Sequence, residues 1–213
     1  MGRNDTYINV TIYMHQNDNS RRIAYMTGKT KELVLCFLNA NSQLLADSYL
    51  NRWAAKVAPR TKYNQPPQVH VELLFRDDTE LKGMSCSICY NQTVHYQQKR
   101  FSRSNWTFRS IYVTPQAYTR VKTWCQMRRG EKFNRLGFYL LAIGWRISGS
   151  WPTTFNYKHT WYCAELIATA LQIGNVLPNT MTMVMHPEEL YQYLSLTTTP
   201  TTIRNWDESS VSY

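Results

Sequence analysis

Thr160-Trp161-Tyr162-Cys163-Ala164-Glu165-Leu166-Ile167-Ala168-Thr169-Ala170-Leu171-Gln172-Ile173-Gly174 is the stretch on which the reading of this chain turns. Leu166, Ile167, Ala170 and Leu171 recur at helical spacing, and Gly174 stands where a helix C-terminus favours a left-handed residue. The pattern predicts a buried helix with Cys163 in its first turn. There the unpaired backbone N–H groups and the positive end of the helix dipole favour a thiolate over a thiol. The same N–H groups can hold an oxyanion during acyl transfer. The competing reading is a small apolar residue in a core helix, because free cysteine is among the most buried residue types. What the rest of the chain brings to the sulfur decides between them.

Upstream, the sequence reads as strands. Residues 7–14 alternate between Ile8, Val10, Ile12, Met14 and Tyr7, Asn9, Thr11, Tyr13, as a half-buried strand does, and residues 22–26 return as a hairpin partner. Residues 32–38 are a continuous apolar run, read as a central strand. Ser42 caps a helix whose apolar face is Leu45, Ala46, Tyr49, Leu50, Trp53, Ala54 and Val57. Val69-His70-Val71-Glu72-Leu73-Leu74-Phe75 is a strong strand opened by His70, residues 84–90 pair back and continue through 93–97, and residues 108–113 make another strand.

Downstream, Thr114 and Pro115 give an N-cap and first-turn proline to a helix lined by Ala117, Val121, Trp124 and Cys125, which Gly130 stops. Residues 133–145 look like a short apolar helix interrupted by Gly137 and Gly144, and Pro187 starts a last helix over 188–194. Strands cluster before residue 113 and helices after it. The class is therefore α+β, an antiparallel sheet packed against the cysteine helix and further helices. Residues 1–196 read as one domain, with 1–30 as an N-terminal hairpin extension and 197–213 as a flexible Thr/Pro/Ser-rich tail.

Composition narrows the function classes. With 43% hydrophobic and 18% charged residues the chain is globular rather than disordered. Five cysteines, an odd number without a secretory leader, do not form a disulfide framework, and no apolar run approaches the roughly 20 residues of a spanning helix. An intracellular setting is expected. The net charge of +10 suits nucleic acid, an anionic membrane or an acidic partner. Met1-Gly2-Arg3-Asn4-Asp5-Thr6 also fits the loose myristoylation pattern.

Taken together, the motifs resemble a known family, the circularly permuted papain-like thiol hydrolases. These are the permuted branch of the NlpC-type cell-wall amidopeptidase superfamily, with relatives in poxviruses and other large DNA viruses. Val69-His70-Val71-Glu72-Leu73-Leu74-Phe75 resembles the family's histidine strand, and Trp161-Tyr162-Cys163-Ala164-Glu165-Leu166 its cysteine motif, with Ala164 in place of the usual serine. Glu131-Lys132-Phe133-Asn134 looks like the lead into the connecting helix. Pro187-Glu188-Glu189-Leu190-Tyr191 looks like the closing helix, with His186 where a Ser or Thr is usual. The histidine precedes the cysteine, the reverse of ordinary papain and the order of the permuted branch.

The resemblance implies a permuted papain-like fold in which Cys163 is the nucleophile and His70 the general base. A third polar residue is expected on the strand after the histidine, where the chain offers Ser85 and Ser87; Glu72 shares the histidine's own face, and Ser87 and Glu72 are the candidates carried forward. The implied activity is a cysteine-dependent hydrolase (peptidase, amidase or isopeptidase) or an acyltransferase, acting on a protein or lipid acyl or amide substrate. The alternative is a non-catalytic structural or interaction protein on the same fold, virion-associated and using its basic surface.

Other groupings were weighed beside this one. Cys86-Ser87-Ile88-Cys89, with His95 near, lacks the four ligands of a zinc site, and strand alternation splits the two cysteines between opposite faces, so neither metal nor cofactor is expected. Lys99, Arg100, Arg103, Arg109, Arg120, Lys122, Arg128, Arg129 and Lys132 are interleaved with Phe101, Trp106 and Phe108, a mixture that binds single-stranded nucleic acid or simply solvates a strand and a helix. His159 stands before the cysteine helix as a rival to His70 for the role of base.

Overall fold

The computed structural model describes residues 30–42, 54–56, 58–59, 61, 65–76, 81–141, 145–148 and 159–196. The hairpin expected within residues 1–30 and the tail over 197–213 lie outside them, as does the helix expected after Ser42 apart from residues 54–56, which are helical. The described chain runs β1 (Lys31–Asn39), β2 (Gln68–Arg76), β3 (Lys82–Ser87), β4 (His95–Arg100), β5 (Trp106–Val113), α1 (Pro115–Met127), β6 (Lys132–Phe133), α2 (Arg135–Leu141), β7 (Thr160–Trp161), α3 (Cys163–Ile173) and α4 (Pro187–Leu196).

β1 to β5 form one antiparallel sheet in the order β4-β3-β2-β1-β5, so the histidine strand β2 lies at its centre. The class is α+β. Side-chain alternation divides the sheet into two faces. Leu33, Leu35 and Phe37 of β1, Val71, Leu73 and Phe75 of β2, and Cys86 of β3 join one core with Val121 and Cys125 of α1, Leu166, Ile167 and Leu171 of α3 and Leu190 of α4. The other face carries a smaller cluster of Val34, Cys36, Leu38, Leu74, Phe101, Trp106 and Phe108.

Several expectations need correction. Residues 84–97 are not one strand: β3 ends at Ser87, the chain turns through Asn91 in the left-handed region (φ 62), and β4 returns antiparallel with Ser87 opposite His95. Asn tolerates that conformation because its short polar side chain bonds locally. Residues 132–133 are a strand rather than the start of a helix, pairing in parallel with β7. Gly137 does not interrupt α2; the helix runs through it. A Cβ there would fall 2.5 Å from Asn134 Nδ2 and 2.8 Å from the Ile147 carbonyl, so glycine serves close approach. Gly174 likewise is not left-handed (φ −74); Asn175 takes that role (φ 57), while a Cβ on Gly174 would lie 2.6 Å from Val121 Cγ2.

The first-turn signals of α1 work as read. Thr114 is extended and its Oγ1 accepts from Ala117 N at 3.1 Å. At α4, His186 acts as a cap where Ser or Thr was expected. Its Nδ1 accepts from Glu188 N at 3.1 Å, and Glu189 Oε2 accepts from His186 N at 2.7 Å, the reciprocal pattern of a capping box. Among the described residues no helix is long and apolar enough to cross a membrane.

Candidate active site

The sequence of α3 places its cysteine by simple means. β7 is pinned to β6, Asn134 N donates to the Trp161 carbonyl at 2.9 Å, and Trp161 Nε1 donates to Glu131. Tyr162 follows in extended conformation (φ −110, ψ 165), its hydroxyl donating to the Ile147 carbonyl at 3.1 Å, and the helix begins at Cys163. Tyr162 supplies no side-chain cap, so no side chain of the N-cap residue occupies the first-turn amides around the sulfur. Cys163 is 8% exposed.

The imidazole of His70 lies within electrostatic reach of this thiol, which is the group that does most to hold a proton on the ring. On the Nε2 side of the ring stand Glu72 Oε1 at 3.4 Å, Ser87 Oγ at 3.4 Å and Cys89 Sγ at 4.0 Å. Ser87 spends its one hydroxyl proton on the Val71 carbonyl at 2.6 Å, so it offers His70 only a lone pair. Glu72 is 1% exposed and held from every side: Lys99 Nζ is 2.5 Å from Oε1, Ser85 Oγ donates to Oε2 at 2.7 Å, and His95 Nε2 lies 3.5 Å from Oε2. The register explains the gathering. Leu74 pairs with Ser85, Ser85 with Gln97 and Ser87 with His95, which sends His70, Glu72, Ser85, Ser87, His95 and Lys99 to one face.

The charges follow from these contacts. Burial of the His70 ring pulls its pKa down, but the negative charge and hydrogen bond of Cys163, with hydrogen bonds to Cys89 and Glu72, outweigh it and leave the ring well above its ordinary value. Burial of Glu72 pushes its carboxyl up. Hydrogen bonds to His70 and His95, and the charges of His70 and Lys99, reverse this and hold it well below the usual carboxylate range. For Cys89, burial raises the pKa while the hydrogen bond and charge of His70 lower it; Lys99 assists, Glu72 opposes, and the net direction is down. Cys36, buried beside Glu72, is pushed well up.

Of the residues singled out in the sequence, Cys163, His70, Glu72 and Ser87 thus stand in one constellation. His159 belongs elsewhere: its ring lies against Trp161 (centroids 3.7 Å apart), its Nε2 is 4.0 Å from Glu165, and burial lowers its pKa. The two cysteines of the Cys-x-x-Cys segment part as alternation requires. Cys86 enters the apolar core with Cys125, and Cys89 faces His70. Among the described residues no group of three or more His, Cys, Asp or Glu side chains is arranged to hold a metal.

Sequence reasoning missed Cys89, His95, Lys99 and the Ser85–Glu72 bond. Running β3 through residues 93–97 hid them. Breaking the strand at Asn91 and pairing Ser87 with His95 would have placed His95 and Lys99 on the face of Ser85 and Ser87. The aromatics read with the basic residues are also elsewhere than a binding surface needs: Phe101, Trp106 and Phe108 are buried in the second cluster, without a free ring face for base stacking. Several of the cations are engaged, Lys99 with Glu72, Arg109 with the Tyr191 hydroxyl at 2.6 Å and Arg128 with Glu131 at 3.0 Å.

Trp106 also joins the site to a cleft. Its ring centroid lies 6.1 Å from that of His70, and with Asn39, Asn41, Ser42, Arg103 and Asn105 it lines a polar hollow of about 270 Å³. No family model matches the chain, and no curated protein or solved structure matches it.

Proposed function

We propose that this protein is a cysteine-dependent hydrolase or acyltransferase built on a permuted papain-like fold, with Cys163 as nucleophile, His70 as general base and Glu72 as the residue that orients the base. One observation carries the reading: a thiol at a helix N-terminus coupled to an imidazole that stands 3.4 Å from a buried carboxylate. In the neutral ring, Glu72 and the lone pair of Ser87 favour a proton on Nε2, leaving Nδ1 to take the proton of Cys163. The thiolate attacks the carbonyl carbon of an amide or ester. The oxygen charge that develops falls to the Cys163 backbone N–H, and the imidazolium returns its proton to the leaving group.

Measuring iodoacetamide alkylation of Cys163 against pH, in wild type and His70→Ala, tests this. We expect Cys163 to alkylate faster than Cys36 and Cys125, whose pKa values are raised and which stay inert. His70→Ala removes the imidazolium that holds the thiolate and slows the reaction sharply. If wild type and variant both behave as an ordinary thiol, Cys163 is a core residue and the non-catalytic interaction reading replaces this one.

A further inference from the structure

Helix α2 turns large apolar side chains away from the fold. We infer that its outer face, with Trp145 behind it, is a docking surface for an anionic lipid bilayer. Leu136, Tyr139 and Trp145 enter the headgroup layer, and Arg129, Lys132 and Arg135 meet the phosphates. The surface needs no spanning segment, and it acts whether or not Cys163 is reactive.

The inner side of the helix is fixed, which leaves this face no choice but to point outward. Asn134 Oδ1 accepts from Gly137 N at 2.8 Å, and Asn134 Nδ2 donates to the Ile147 carbonyl at 3.3 Å. A Cβ on Gly137 would collide with both of those partners, Asn134 and the Ile147 carbonyl. One residue on, the Phe138 ring packs against Phe133 and Tyr90, with centroids 5.6 and 5.5 Å away. Leu136 is left 54% exposed and Tyr139 47%; three residues apart, they are neighbours on the helix surface. The Trp145 amide donates to the Leu140 carbonyl at 3.0 Å, which ties that residue to the last turn of α2. Trp145 is 62% exposed.

Large apolar side chains left together in water mark an interaction surface, and the chemistry around these chooses the partner. Tyrosine and tryptophan, each an apolar body with a polar edge, settle at the boundary between acyl chains and water. The charge beside them has one sign. Residues 128–148 hold Arg128, Arg129, Lys132, Arg135 and Arg146 against the single acid Glu131. Arg128 is spent on Glu131 and Arg146 on Glu189, while Arg129, Lys132 and Arg135 are exposed. Arg135 stands four residues from Tyr139, on the same side of the helix. A nucleic acid would complement the cations alone. A bilayer with anionic lipid complements both features, with negative charge at its surface and hydrocarbon beneath.

The test is cosedimentation of the full chain with vesicles, one set of phosphatidylcholine alone and one containing about 30% phosphatidylserine, in about 0.1 M salt. We expect binding to the second set, little to the first, and release as salt rises. Lys132→Gln and Arg135→Gln should each weaken binding about fivefold, the worth of one cation beside an anionic leaflet. Leu136→Ser and Trp145→Ala should each weaken it about tenfold with the net charge unchanged. Met127→Ser, which alters an exposed side chain in the hollow between α1 and α3, should leave binding as it is. Equal binding to the two vesicle sets overturns the inference. Binding that survives both Leu136→Ser and Trp145→Ala does so too, because it is then attraction to the +10 chain as a whole. Self-association without vesicles that Trp145→Ala abolishes would give the face to a second copy of the chain and overturn it equally.

Discussion

The two faces of strand β2 bury different chemistry, one apolar throughout and the other Glu72 beside the apolar Leu74. Val71, Leu73 and Phe75 enter the core beneath α1 and α3; one residue out of phase, Glu72 is as hidden from water as they are. On the first face burial is itself the stabilising term, roughly 25 cal/mol per Å² of apolar surface, and no side chain needs a particular partner. On the second face burial opposes the charge, and each oxygen of Glu72 must be matched by a donor or cation, which Lys99, Ser85, His95 and His70 supply. A core tolerates a change of shape if volume is kept, whereas such a network fails at the first member removed. That is why the reactive groups can be held in register by one face while the other holds the fold.

The largest effect should come from the end of the polar face that touches the thiol. His70→Ala should cut turnover on any substrate found by about 10²–10⁴-fold, the usual contribution of a general base, while far-ultraviolet circular dichroism stays that of the wild type. Cys163→Ser should keep the fold and lose turnover altogether. A His70→Ala protein of undiminished activity would mean that the two faces differ in polarity but not in purpose.

Next in size are two truncations on neighbouring residues of the same strand. Glu72→Ala leaves His70, His95 and Lys99 facing a void. Removing one partner of a buried pair typically costs about 3–5 kcal/mol, and because His70 can deprotonate we expect the lower end. Leu73→Ala should cost about 2–5 kcal/mol through lost burial and a cavity. Urea unfolding gives both numbers, and cysteine alkylation separates them: Glu72→Ala should also change the pH profile of Cys163, and Leu73→Ala should not. Loss of that distinction would break the comparison. Ser85→Ala should follow at about 1.5–3 kcal/mol, the value of a hydrogen bond to a charged group.

The two faces were not equally legible. The apolar one could be read from period-two alternation in β2 and 3.6-residue spacing in α3, because burial acts on every residue alike and repeats along the chain. Cys163 and His70 were paired only through the resemblance of their two motifs to a family's, since a histidine on a strand carries no such signal by itself. Glu72 was placed on the histidine's face, but its role depends on Lys99 and His95, which come from β4 across β3. Such a cluster is fixed by strand register, and register depended on a single turn, the left-handed Asn91, that the reading ran through. The β6–β7 pair is two residues a side, too short to leave any period. The same brevity hid the device that sets the start of α3.

The smallest effect, and the one most specific to the polar face, is the response of stability to pH. His70 sits above its ordinary value of 6.5, so its contribution is complete below that pH and is lost as pH rises toward the folded value. Glu72 sits below its ordinary value of 4.5, so its contribution is present above pH 4.5 and lost on acidification. His186, which burial pushes down to about 4, and His159, also lowered by burial, favour folding more as pH climbs to 6.5 and are flat beyond it. Cys36 and Cys125, both raised above 9.0, lose stability only in alkali. Between pH 6.5 and 8, then, His70 tilts the curve downward, while Cys89, whose thiol the charge and hydrogen bond of His70 hold below its ordinary value of 9.0, tilts it the other way. One proton held by the folded state and released by the unfolded chain gives at most about 1.4 kcal/mol per pH unit. A proton given up by a partner thiol offsets the one that His70 keeps, so the unfolding free energy in urea should fall across that window by less than this ceiling in wild type and stay level in His70→Ala. A wild-type curve that rises would mean that a thiol gives up its proton while the ring stays neutral, and the thiol would then have lost the charge that is meant to hold it.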